Sequence, residues 1–229
     1  MKENPEANHL HSWSVSRREA VAIQQRLAKM LSLHGMPSRV RFVAGVDVAC
    51  DASSHIGFCA VAVCAYPSLE PVHHVVVKGE VLFPYMPGFL SFREGPIVCA
   101  AFDGLDIRPD VAIFDGQGIA HPQRLGIASH LGLILNLPTI GCAKTRLCGT
   151  YKQPGLRKGD RSYLTDDGGD PIGVVLRTRD CVRPVFVSPG HMIGIDEAAA
   201  FVLSCVRTYR IPEPLRRAHC AARAALRAS

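Results

Sequence analysis

The sequence lacks the features that mark membrane and secreted proteins. Its apolar runs, such as residues 56–66, are too short or too mixed to span a bilayer. Residues 1–13 lack the apolar region of a signal peptide. Low-complexity tracts, which would indicate disorder, are also missing. We therefore expect a cytoplasmic protein with a packed core and no membrane partner.

The sequence also lacks the cysteine and histidine spacing of a zinc site. Its nine cysteines are scattered singly, without a CxxC pair, and most lie in apolar segments. Such cysteines are typical of reduced core residues. No internal repeat, composition shift or helix-turn-helix pattern divides the 229 residues. We expect a single domain over residues 1–229, with residues 1–12 flexible, and a monomer, because no exposed apolar patch is evident.

The charge of the sequence is positive, with a formal net charge of +6. Basic residues cluster between Lys144 and Arg161, and again from Arg216 to the end of the chain. Such clusters suit a phosphate backbone as ligand. A solvated basic face is the alternative interpretation.

The segment 108–144 predicts the centre of the fold. Residues 111–115 have the pattern of a buried strand, an apolar helical pattern follows, and residues 139–143 have the pattern of a second strand. Because a strand, helix, strand unit of this length has parallel strands, Asp115 and Lys144 should lie at one edge of the sheet and face one crevice. Asp115 alone, before Gly116, could equally be an ordinary turn residue.

Three apolar strands are predicted before this unit, at residues 40–50, 56–66 and 72–83, paired as an antiparallel meander. Asp47 lies in the first of them. A carboxylate in a sheet is costly unless it is paired with a cation, either an arginine or a metal ion. Ahead of the strands, Ser16 and Glu19 form a capping box, which predicts a helix that packs on the sheet.

A proline-flanked loop, residues 84–88, follows the meander and carries Tyr85. The fixed φ angles of its prolines would hold the tyrosine rigidly, as a wedge for a base stack requires, although a packed tyrosine is equally consistent. Glu94 falls near the start of the next helix, where it could cap the helix or bind a metal ion. His219 borders the apolar face of the last helix, a position that is often structural.

Asp47, Glu94 and Asp115 form the candidate catalytic set. Carboxylates in one cleft repel unless cations neutralise them, and their hard oxygen atoms select Mg²⁺, with Mn²⁺ as a substitute. Such ions activate water for phosphodiester cleavage. Lys144 could stabilise the charge of the transition state, and His219 could position or deprotonate the water.

The sequence resembles the endonuclease V family, the deoxyinosine 3′-endonucleases. The resemblance covers nearly the whole chain, in order, through the blocks VAGVDVA, PYMPGFLSFREGP, PDVAIFDGQGIAHPQRLGIASHLG, PTIGCAKTRL, VFVSPGH and RIPEPLRRAH. It implies an α/β, ribonuclease H-like fold, with a mixed sheet of five strands, three antiparallel and then two parallel, flanked by helices.

The resemblance also implies roles for individual residues. Asp47, Glu94 and Asp115 match the Mg²⁺-binding acids, Lys144 and His219 match further active-site positions, and residues 84–87 match a strand-separating wedge. The positions that match substrate-binding segments are Tyr85, Pro87, Gly88, Gly116, His121, Gly126, Ile127 and Leu147. The implied reaction is hydrolysis of the second phosphodiester bond 3′ to deoxyinosine in DNA, which initiates repair.

Three alternative functions are compatible with parts of the sequence. Gly116-x-Gly118 after a strand suggests a dinucleotide-binding oxidoreductase, but His121 occupies the third glycine position and Lys144 stands where an acid is needed. A nucleic-acid binder without catalysis would not need all five catalytic positions filled. A ribonuclease specific for inosine in single-stranded RNA stays open, because contacts to the 2′-hydroxyl cannot be read from the sequence.

Overall fold

The computed structural model describes residues 10–51 and 55–229. These residues form five helices and nine strands. The helices are α1 (Arg17–Ala28), α2 (Leu90–Asp103), α3 (Ile127–Leu135), α4 (Ile195–Ser204) and α5 (Glu213–Arg227). The strands are β1 (Phe42–Cys50), β2 (Ile56–Ala65), β3 (Pro71–Glu80), β4 (Val111–Phe114), β5 (Thr139–Ala143), β6 (Thr150–Tyr151), β7 (Arg161–Thr165), β8 (Pro171–Leu176) and β9 (Val185–His191).

All nine strands belong to one mixed sheet, in the order β3-β2-β1-β4-β5-β9-β8-β7-β6. The predicted meander is confirmed, because β1 pairs antiparallel with β2, and β2 with β3. The predicted parallel unit is confirmed as well, because β4 pairs in parallel with both β1 and β5. The α/β class with a mixed sheet flanked by helices is therefore as the sequence indicated.

The predicted number of five strands is wrong. Beyond β5 the sheet continues through β9, which pairs antiparallel with it, and then through β8, β7 and β6. An edge strand such as β5 would otherwise leave its N–H and C=O groups unpaired, and β9 satisfies them. Weak strand signals do not explain the difference, because β9 has seven residues, all buried, and is longer than β4. The pairing of β9 with β5 joins distant segments, and such pairing has no local periodicity in the sequence.

Alternating side chains divide the core between the two faces of the sheet. Ala112 and Phe114 of β4 pack with α2 and α3, whereas Val111 and Ile113 pack on the opposite face with α4. On that opposite face α5 lies across β1 and β2, against small residues that include Ala60 and Ala62. Helices thus cover both faces of the central strands. No helix of the described ranges is both long and apolar enough to cross a bilayer.

Gly45 allows α5 to approach β1 closely. A Cβ atom at this position would clash with the carbonyl group of Pro214 and the backbone nitrogen of Leu215. Because side chains alternate along a strand, Gly45 and Asp47 share one face, which is the face that α5 covers. Because glycine has no side chain, α5 can lie close to the carboxylate of Asp47.

Helix α1 has the predicted capping box, in which the backbone N–H of Ser16 donates to Glu19 Oε2 over 2.8 Å. The expectation that α1 packs on the sheet is wrong, however. Its Ala20 packs in an aromatic cluster with Phe89 and Phe92, and the helix contacts α3. The other helices already occupy the sheet faces, so α1 forms an outer layer over the start of α2.

Residues 1–12 were expected to be flexible, and residues 1–9 of this segment lie outside the described ranges. Residues 10 and 11 make specific contacts. The carbonyl oxygen of Leu10 accepts from Arg26 Nη2 over 2.7 Å, and His11 Nε2 lies 2.6 Å from His130 Nε2. These contacts attach residues 10 and 11 to helices α1 and α3.

Candidate active site

Asp115 and Lys144 directly follow the parallel strands β4 and β5. The two strands are in register at their ends, where Phe114 lies opposite Gly141. Lys144 Nζ donates to Asp115 Oδ2, so the two side chains form an ion pair at the carboxyl edge of the sheet. The lysine is 40% exposed and the aspartate 19%, which leaves both accessible from the crevice.

Asp47 and His219 join Asp115 at this edge. His219 Nδ1 lies 2.6 Å from Asp47 Oδ2, across the junction of β1 and α5 that Gly45 makes possible. One ligand atom from each of Asp47, Asp115 and His219 falls within 4.8 Å of the others. This spacing is compatible with shared coordination of one cation.

Glu94, on α2, lines the same crevice, but its carboxylate does not belong to the group of ligand atoms within 4.8 Å that Asp47, Asp115 and His219 form. The helix begins at Leu90, so Glu94 lies in its second turn and does not cap it. Burial raises the pKa of Glu94 to about 8, the negative charge of Asp47 adds to the shift, and Arg93 opposes it.

Burial also raises the pKa of Asp47, and the charge of Asp115 acts in the same direction. The hydrogen bond from His219 and the charge of Lys144 oppose this shift. Like charges thus destabilise the ionised forms of the acids in the absence of a cation. The donor set fits a divalent metal ion, because its carboxylate oxygens are hard ligands and the ion would neutralise their repulsion.

A cavity of about 500 Å³ opens beside these acids. Asp47, Glu94, Asp115 and Lys144 form one side of its wall. The eight positions matched to substrate binding all line the same cavity, namely Tyr85, Pro87, Gly88, Gly116, His121, Gly126, Ile127 and Leu147. The structure therefore brings the candidate catalytic and substrate-binding residues together, with His219 adjoining through Asp47.

Backbone groups form much of the cavity floor. A Cβ atom at Gly116 would lie 2.5 Å from Ile127 Cγ2, and one at Gly126 would clash with the carbonyl oxygen of Gln117. Gly88 has a φ of +85°, which favours glycine, and its carbonyl oxygen lies 2.7 Å from Gln24 Nε2 and 2.9 Å from His121 Nε2. These contacts fix the loop that carries Tyr85 against α1 and the β4–α3 turn.

Sequence reasoning missed a chain of polar side chains behind the cavity. Ser91 lines the cavity and its Oγ lies 2.9 Å from His130 Nδ1, while His130 Nε2 contacts His11. His11 Nδ1 donates to the carbonyl oxygen of Ser12, so its Nε2 accepts from His130, and His130 Nδ1 accepts from Ser91. Burial lowers the pKa of both histidines, in agreement with neutral rings. The available signal was a histidine in the middle of the apolar helix α3.

Gln117 was missed as well. Its side chain is 7% exposed and lines the cavity, and its Nε2 donates to the carbonyl oxygen of Thr145 over 3.0 Å. This bond ties the β4–α3 turn to the segment after Lys144. Its position between Gly116 and Gly118 in a strand-to-helix turn was the only local signal.

The mixed sheet, the converging acids and the adjoining basic side chain are the features expected of a hydrolase of the α/β class that acts on phosphodiesters with a metal ion. The match to known proteins is specific. A family model described as Endonuclease V matches residues 25–220. The chain belongs to the endonuclease V family.

Relatives support this assignment along the whole chain. Endonuclease V of Dehalococcoides mccartyi (strain BAV1) is 47% identical over 219 residues, which cover 96% of this chain and 98% of the relative. The crystal structure of Endonuclease V from Streptomyces avermitilis superposes with a TM-score of 0.89 at 43% identity, covering 94% of this chain and 95% of the other. Endonuclease V of Ciona intestinalis, in complex with a 24mer DNA containing an inosine followed by a ribo-adenosine, gives a TM-score of 0.80 at 25% identity, with coverage of 92% and 97%.

Proposed function

We propose that this protein is an Mg²⁺-dependent endonuclease that recognises deoxyinosine in DNA and hydrolyses the second phosphodiester bond 3′ to it, initiating repair. The observation that carries the proposal is the convergence of Asp47, Asp115 and His219 within 4.8 Å, beside a cavity of about 500 Å³ that can admit a base. The inosine-containing DNA bound to the Ciona intestinalis relative supports the choice of base.

The cavity residues would hold the flipped base. Gly88, Gly116 and Gly126 line the cavity with backbone atoms alone, so a flipped hypoxanthine can be contacted by backbone groups. Flipping costs a few kcal/mol, and less for a weakly paired base, which itself favours hypoxanthine over normal bases. Tyr85, at the mouth, would occupy the space that the flipped base leaves in the stack.

The charged residues would act on the phosphodiester bond. Asp47, Glu94 and Asp115 would hold Mg²⁺, which supplies charge neutralisation and activates water when bound. Lys144 places a positive charge beside Asp115, where it would stabilise the negative charge of the transition state. Asp47 orients the imidazole of His219 through its bond to Nδ1, which leaves Nε2 to position water.

Removal of either central aspartate tests this proposal. Asp47→Ala and Asp115→Ala should abolish nicking of an inosine-containing strand in Mg²⁺. Asp103→Ala, which removes an exposed acid at the end of α2, is the matched control and should nick normally. Wild-type nicking by either active-site variant would contradict the proposed metal site, and the position of the cut should be mapped at nucleotide resolution.

An inosine-specific ribonuclease is the second candidate. The ribo-adenosine that follows inosine in the Ciona intestinalis complex favours it, because that nucleotide carries a 2′-hydroxyl 3′ to the lesion. Cleavage rates on matched DNA and RNA strands decide between the two substrates. A binder without catalysis would nick neither.

The nine strands share one sheet, which supports a single domain for this chain. We propose that it acts as a monomer on its substrate. Light scattering after size-exclusion chromatography should give a mass close to 24.8 kDa.

A further inference from the structure

Leu82 is an exposed apolar residue that the proposed reaction does not use. It is 72% exposed and Tyr85 is 73% exposed, the two highest values among the large apolar side chains of the described ranges. Both belong to the segment between β3 and α2. Tyr85 has a role as the proposed wedge, whereas Leu82 precedes the matched Pro84–Pro87 block and has none.

The backbone beside Leu82 is held in place, so its exposure is a fixed feature of the surface. Arg93 Nη1 donates to the carbonyl oxygen of Phe83 over 2.7 Å. The ring of Phe83 stacks with Phe89 at a centroid distance of 6.1 Å and also contacts Phe92. An apolar side chain presented from such a rigid segment suits insertion against another apolar surface.

Leu82 lines an open groove of about 670 Å³. Trp13, Phe83 and Met86 also line this groove, and Met86 lines the base cavity as well. The loop 84–88 therefore separates the two recesses. Arg17, at the edge of the groove, is exposed and its guanidinium lies 5.9 Å from the centre of the Phe89 ring.

We propose that this groove receives the base that stood opposite the lesion in the duplex, with Leu82 contacting that base and Arg17 its phosphate. The proposal rests on the proposed function. When the lesion leaves the duplex on one side of the loop, its former partner has lost its hydrogen bonds and can leave its own stack at a lower cost than a paired base. The groove shares Met86 with the base cavity on the other side of the loop, and its lining includes Trp13 and Phe83, which offer the displaced base a stacking surface.

The fluorescence of Trp13 reports directly on occupancy of the groove, because Trp13 is the single tryptophan of the chain and lines the groove. Its fluorescence is recorded while the protein, with EDTA to prevent nicking, binds a duplex with inosine opposite cytosine. A second duplex carries an abasic analogue in place of that cytosine. Quenching by the first duplex and much weaker quenching by the second, at equal saturation, is the expected result. Equal emission changes with both duplexes would overturn the proposal.

A variant of Leu82 provides a second measurement. Leu82→Ala should bind the cytosine-containing duplex about fivefold to tenfold more weakly than wild type, from lost apolar contact. It should match wild type on the abasic duplex and on single-stranded inosine DNA. Met30→Ala, which shortens a half-exposed side chain just beyond the far end of α1, is the control. An equal loss on both duplexes would contradict a contact with the opposing base.

Nicking of the same duplexes in Mg²⁺ separates this proposal from the proposed function. Normal nicking together with base-independent Trp13 emission overturns the role of the groove alone. Failure of the wild-type protein to nick inosine in either duplex or single strand overturns the proposed function and the groove with it.

Discussion

The carboxylate of Glu94 shares the cavity wall with Asp47 and Asp115, and its pKa of about 8 records the effect of burial and of their charges. In the unfolded chain the same group ionises near its ordinary pKa of 4.5. A raised folded pKa means that stability is lost as the pH rises from 4.5 through 8. In the absence of metal, the candidate active site is therefore a source of instability at neutral pH.

Glu94→Gln should accordingly stabilise the metal-free protein while abolishing nicking. In EDTA at pH 8 we expect a gain of up to about 4 kcal/mol in the free energy of unfolding, because glutamine does not ionise and a pKa raised from 4.5 to about 8 corresponds to a difference of this size. At pH 5 the gain should be much smaller. Thermal unfolding at both pH values measures the effect. Mg²⁺ should raise the Tm of the wild type and have little effect on the variant, and a variant that is less stable than wild type at pH 8 would contradict this account.

His130 has the opposite dependence on pH. Burial holds its pKa well below 6.5, and the neighbouring rings of His11 and His121 act in the same direction. A lowered folded pKa means that its contribution is complete above pH 6.5 and is lost as the pH falls below that value, because the unfolded chain takes up the proton first.

His130→Asn should remove this dependence. The difference in Tm between the wild type and the variant should shrink as the pH falls from 7 to 5, since only the wild type loses the contribution of a neutral buried imidazole. Comparing the two proteins cancels the contributions of Glu94 and the other acids. A difference that is constant across this range would show that the ring does not stay neutral in the folded protein.

At the scale of secondary-structure elements, the site depends on how closely α5 lies against β1. Gly45→Ala should push α5 away, because the added methyl group clashes with the backbone at Pro214. We expect a loss of about 2–4 kcal/mol in stability and a greater loss of activity through the displaced His219. Chemical unfolding and nicking assays measure both. Gly104→Ala, whose added Cβ would meet no atom closer than 3.5 Å, should be tolerated, and similar losses in the two variants would argue against this specific contact.

The loop between β3 and α2 offers a second test at this scale. Tyr85→Ala removes a side chain that is 73% exposed, so the fold should be unaffected. We expect weaker binding of inosine in duplex DNA, where the strands must be separated, and a much smaller change on single strands. Binding titrations on the two forms provide the comparison. An equal loss on both would indicate a contact with the lesion strand rather than a role in strand opening.

The elements that the sequence predicted are those with a local signal. Asp115 and Lys144 could be placed at one edge because parallel strands end on the same side of a sheet, and Asp47 stood out as an acid in an apolar strand. The pairing of β9 with β5 could not be predicted, because pairing between distant segments produces no local periodicity in the sequence. The same holds for the contact of Ser91 with His130 and for the packing of α1 away from the sheet.

At the scale of the whole molecule, residues ahead of the stretch that the family model matches support the site. That stretch begins at residue 25, whereas His11, Trp13 and Gln24 all precede it. A Cβ atom at Gly95, the neighbour of Glu94 in α2, would clash with the ring of Trp13. His11 binds His130, and Gln24 donates to the carbonyl oxygen of Gly88 at the cavity.

Trimming the chain to residues 25–229 should therefore lower its Tm and weaken base binding more than nicking chemistry, compared with a version that starts at residue 10. The shorter protein would expose the outer side of α2 and release the Gly88 loop. Thermal unfolding and binding of inosine-containing DNA by the two versions measure the loss, and equal behaviour would show that the leading segment is dispensable. We therefore expect the smallest autonomous unit of this enzyme to be longer than residues 25–220, the stretch that the family model matches.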